Sequence, residues 1–189
     1  MTDVILYFKN LIPQELVGKL SSSFDERESQ VRQAIEVSIC SVLLGIKNCT
    51  DLGFLVTHSR ELEDVYEWDL CEFLQHEATY FDRNYFLNRL FPGKRDRVSE
   101  MISNELCVKS ESSRVILNLV SLLVLNNLKN EASGKMLSIQ ETELQVFCRF
   151  LPAGVRVILG VSGSEVAYVS SEVSETVAFG FSFFGFRKK

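Results

Sequence analysis

The chain holds two imidazoles, His58 and His76, and His76 has the richer surroundings. Glu72 lies four residues before it, so on a helix the carboxylate and the ring share a face, with Asp69 seven residues back on the same side and Cys71 close by. Tetrahedral zinc needs four donors, and this set would require His58 or another ligand folded in from elsewhere. The text around His76 reads instead as an acidic helix carrying a solvated or hydrogen-bonded histidine. Glu61, Glu63 and Glu67 recur in that same charged face. General acid–base chemistry would need burial there, and the pattern does not supply it. No catalytic or metal-binding residue is assigned, and no cofactor is expected.

Motifs for nucleophiles and phosphates are also incomplete. "GVSGS" at 160–164 lacks the final glycine of G-x-S-x-G, and neither a phosphate loop nor G-x-G-x-x-G occurs. Cys40, Cys49, Cys71, Cys107 and Cys148 form an odd set without C-x-x-C spacing, which predicts reduced, mostly buried thiols in a cytoplasmic protein. The expectation is a protein that is not an enzyme.

Binding is the remaining chemistry. Trp68, Phe73, Tyr80 and Phe81 fall in a broad apolar face, and Phe183, Phe184 and Phe186 alternate with small residues near the chain end. Such residues build cores as readily as docking faces, and they are the candidates for gripping a protein partner. Nine carboxylates and one arginine fill Asp51 to Asp82, whereas Arg83, Arg89, Lys94, Arg95 and Arg97 follow. Lys94, Arg95 and Arg97 lead a helix and would contact phosphate in an alternative, nucleic-acid reading. A net charge of −5 weighs against it.

The elements that must position these groups are written twice. With a constant offset of 82, Leu20 pairs with Ile102, Ser21 with Ser103, Phe24 with Leu106, Arg32 with Arg114, Ile35 with Leu117, Val42 with Val124 and Lys47-Asn48 with Lys129-Asn130. Each copy, about 17–48 and 99–130, reads as a short amphipathic helix, a polar turn and a long helix. Val31, Ala34, Ile35, Ile39, Val42, Leu43 and Ile46 form an apolar stripe on the first long helix; Ile116, Leu117, Val120, Val124, Leu125 and Leu128 form one on the second. Neither hairpin can cover its own stripe, so the two should clasp each other.

Between them, 59–91 reads as one or two helices ended by Pro92-Gly93. After the second copy, Ser138 and Glu141 form a capping box, and Pro152-Ala153-Gly154 predicts a break. The expected fold class is all-α: duplicated helical hairpins packed into one bundle, with a short extended or β-like Phe-rich tail. One helical domain spans 1–160 and a Ser/Phe-rich tail 161–189. Hydrophobic residues make up 46% of the chain, enough for a folded core. No run reaches the length of a spanning helix and no basic leader opens the chain.

Two stretches, "LIPQELVGKLSSSFDERESQVRQAIEVSICSVLLGIKN" and "MLSIQETELQVFCRFLPAGVRVILG", carry a resemblance. They are similar to a bacterial family of unknown function that includes YidB-like proteins and often stands ahead of OmpA-like peptidoglycan-binding domains. The similarity covers about residues 3–160, and "LPAG" is its most specific fragment. The family's proline in each long helix would fall at Cys40 and Leu122, and its glycine-rich middle is replaced by 59–91. The resemblance implies an all-helical, divergent stand-alone member and brings no established activity and no catalytic residues.

Together these features predict a non-enzymatic helical protein-interaction module, with a link to bacterial envelope or secretion machinery left open. The partner would be a protein of unknown identity, with a homo-oligomer open, surface membrane contact through the tail open, and nucleic acid unfavoured. A carrier of a small apolar ligand, with a cavity between the hairpins, is a further alternative.

Overall fold

The computed structural model describes residues 3–49, 85–131 and 147–161, and every regular element among them is a helix. These are α1 (Asp3–Asn10), α2 (Gln14–Phe24), α3 (Glu28–Asn48), α4 (Tyr85–Leu90), α5 (Arg95–Leu106), α6 (Ser110–Glu131) and α7 (Ala153–Leu159). The expected capping box at Ser138 lies outside the described residues.

Proline and turn chemistry punctuate this order. Pro13 stands at the N-cap of α2 with φ −63°, and Pro152 at the N-cap of α7 with φ −56°. In both places the ring fixes φ, and the missing N–H would have had no partner within the helix. Residues 147–150 are helical and stop ahead of Pro152, so the predicted break falls there. Pro92 and Gly93 close α4 as expected.

The two hairpins are built alike down to their turns. α2 ends at Asp25 and α5 at Cys107, each left-handed with φ +53°. The next amide, from Glu26 or Val108, reaches back to the carbonyl of Ser21 or Ser103, at 3.0 and 3.1 Å. The same two serines donate their hydroxyls forward to the Glu26 and Val108 carbonyls, at 2.6 and 2.7 Å. This double lock holds a left-handed residue without glycine. The matching extends upstream of the expected hairpins, since at the same offset the buried Ile5 and Phe8 of α1 correspond to the buried Leu87 and Leu90 of α4.

α3 and α6 lie along each other, the most extensive helix pairing described. Burial is wider than the stripes predicted from sequence. Every residue from Val37 to Ile46 is buried, and every residue from Val115 to Leu122. A helix that is apolar nearly all round belongs in the middle of a fold. The shorter helices supply the cover: α1, α2 and α4 against α3, α5 against both long helices, and α7 against α5 and α3. Phe8, Leu20, Phe86, Phe91, Ile102, Phe147 and Leu151 all turn inward to close the core. None of the described helices is long and apolar enough to cross a membrane.

Candidate functional site

The polar side chains that converge in this fold do so where the two hairpins meet. Glu26, in the first turn, sends its Oε1 to the start of α6, accepting from the Lys109 backbone N–H at 2.6 Å and the Ser112 hydroxyl at 3.1 Å. It thus serves the exposed amides of α6 from the other half of the chain. Lys109 returns the contact, its Nζ donating to the Phe24 carbonyl at 2.6 Å. Gln30 donates its Nε2 to the Cys107 carbonyl at 3.0 Å and, more weakly, to that of Leu106 at 3.3 Å. Each half therefore satisfies the carbonyl end of the other half's short helix. Further along, the Tyr7 hydroxyl donates to Asn127 Oδ1 at 2.8 Å, tying α1 to α6. These groups are occupied in joining helices.

A second junction seats α7. Gly154 N–H donates to Glu105 Oε1 at 2.9 Å, and a Cβ at Gly154 would approach Glu105 Oε1 to 2.6 Å and Met101 Cγ to 2.8 Å. The glycine of "LPAG" thus sits at the contact of α7 with α5, where a larger residue would have to displace the Met101 and Glu105 side chains. Val155 and Ile158 bury themselves beside it.

Thiol chemistry is divided by position. Burial pushes the Cys40 thiol up, with the Glu36 carboxylate and Cys148 adding to the effect, so Cys40 stays protonated and inert. Among the described thiols Cys148 is also buried, Cys49 is half-buried and Cys107 is exposed. The left-handed C-cap of α5 puts Cys107 on the surface of the turn. Cys71 lies outside the described residues.

No family model, no curated protein and no solved structure matches this chain. The site must be judged on its own chemistry. Among the described residues no cluster of three His, Cys, Asp or Glu side chains could hold a metal. His58, His76, Asp69, Glu72, Trp68, Phe73, Tyr80, Phe81, Phe183, Phe184 and Phe186 lie outside the described residues. The basic candidates do fall within them. Lys94 stands exposed at the N-cap of α5, Arg97 is exposed in its first turn and Arg95 is half-buried, with Asp96 among them.

The structure exposes apolar residues that the sequence did not mark as partner-binding. Leu6 is 54% exposed and Tyr7 45% on α1, Phe150 is 40% exposed, and Val157 on α7 is 77% exposed. The signal was present in "VILYF", because five consecutive apolar residues on a helix cannot all face one core.

Proposed function

We propose that the chain is a helical protein-interaction module with no catalytic chemistry of its own, a divergent relative of the YidB-like family. In this reading it acts in the bacterial cytoplasm, beside envelope or secretion machinery. The single observation carrying the interaction reading is the exposure of Leu6, Tyr7, Phe150 and Val157 in a chain whose central helices are already covered. The polar groups that converge between the two hairpins are engaged in joining them. The family reading rests on the two similar stretches, in the second of which Gly154 of "LPAG" packs against Met101 and Glu105.

In-cell crosslinking followed by mass spectrometry tests it. A Leu6→Ser, Val157→Ser variant with unchanged helicity should lose at least one crosslinked protein that the parent chain retains. The companion variants are Trp68→Ala with Phe73→Ala, and a chain lacking 165–189. The same partners at the same yield from the parent and all three variants would overturn the reading.

A further inference from the structure

We propose that Met101 is an oxidation-sensitive latch controlling whether α7 stays docked on α5. The thioether of Met101 packs against Gly154, where a Cβ would have to push the sulfur aside. Met101 is only partly buried, so a small oxidant can reach it. The neighbouring polar contact is the Gly154 N–H to the Glu105 carboxylate, at 2.9 Å.

α7 is vulnerable at this point. It has seven residues, too few to persist as a helix in water without packing. Its inward residues are Val155 and Ile158, and its outward Val157 gains nothing from being held. Contact with α5 is therefore a large part of what keeps it formed.

The chemistry is a two-electron oxidation by a hydroperoxide. The Met101 sulfur attacks one peroxide oxygen, the O–O bond breaks, an S–O bond forms, and water or an alcohol leaves with the remaining oxygen after proton transfer. A flexible apolar contact becomes a polar one with greater volume. The new oxygen is a strong acceptor beside the Glu105 carboxylate, which already accepts the Gly154 N–H. Both acceptors then compete for one donor, and the sulfoxide draws water into the seam. Sulfoxide reductases can reverse the change.

Hydrogen exchange on the full chain treated with hydrogen peroxide is the test, with peptide mass mapping to locate the added oxygen. Oxidation at Met101 should speed exchange of the 153–159 amides by about tenfold, the scale of a single lost packing contact. The buried amides of α3 and α6 should remain slow. Met101→Leu keeps the volume without the oxidisable sulfur and should hold α7 protected under the same peroxide. Met101→Gln places a polar group there and should exchange fast without peroxide. Unchanged exchange after Met101 is oxidised would overturn the proposal, as would equal acceleration in Met101→Leu or in α3 and α6. Resistance of Met101 to peroxide that oxidises free methionine would overturn it as well.

Discussion

Gly45 and Gly18 separate two roles that one residue type can play in a helix. A Cβ at Gly45 would come within 2.9 Å of Cε1 of the Phe91 ring, which is 2% exposed and has nowhere to move. At Gly18 the nearest atom would be Glu28 Oε1 at 3.8 Å, an ordinary contact. Alanine gains about 1 kcal/mol over glycine inside a helix, whereas overpacking a filled core costs about 1–3 kcal/mol. Gly18→Ala should therefore stabilise by about 0.5–1 kcal/mol, and Gly45→Ala should destabilise by about 1 kcal/mol. Urea unfolding of both variants at unchanged m-value checks the pair. Gly45 looked like any helix glycine in the sequence, because the Phe91 ring that crowds it lies 46 positions away. The "LPAG" glycine was noticed, but its partners Met101 and Glu105 could not be, since neither is local to it.

At the scale of elements, Glu26 links two helices that local rules treat as independent. α3 begins after Arg27 with no side-chain cap, and the nearby Glu26 is turned to α6 instead. Glu26→Ala removes both acceptor contacts and should cost about 1–2 kcal/mol, the usual worth of a cap. Glu26→Gln keeps a carbonyl oxygen in the same place and should recover more than half of that. Chemical denaturation distinguishes them; equal losses would mean that charge, not the hydrogen bonds, holds the junction. Helix positions and the matched hairpins were legible because apolar spacing and turn residues are local signals. The Glu26 junction was not, since a carboxylate in a polar turn reads as solvated until the second hairpin is set against it. The extension of matching to α1 and α4 was also missed. Their shared feature is burial at Ile5 and Leu87 and at Phe8 and Leu90, while the side chains between them differ.

For the whole molecule, the decisive feature is that α3 and α6 are each buried on nearly every face. Neither could be covered by its own short helices alone, because each long helix uses the other as a wall. Separating the halves would expose both apolar surfaces at once, and the roughly 25 cal/mol per Å² attached to that area makes a half-folded state unfavourable. The described core should therefore unfold in one cooperative transition. Cys40 supplies an internal reporter, since it is fully buried in α3 and its thiol is held protonated by that burial. Alkylation of Cys40, followed by peptide mass mapping across a urea series, should share its midpoint with the loss of far-UV helicity. Cys107, exposed on its turn, should react already in native buffer. Cys40 alkylation well ahead of helix loss, or two separated helical transitions, would mean that the halves fold apart. The mutual cover of the long helices would then contribute little to stability, and the burial of Ser38 and Ser41 beside Cys40 would need another cause.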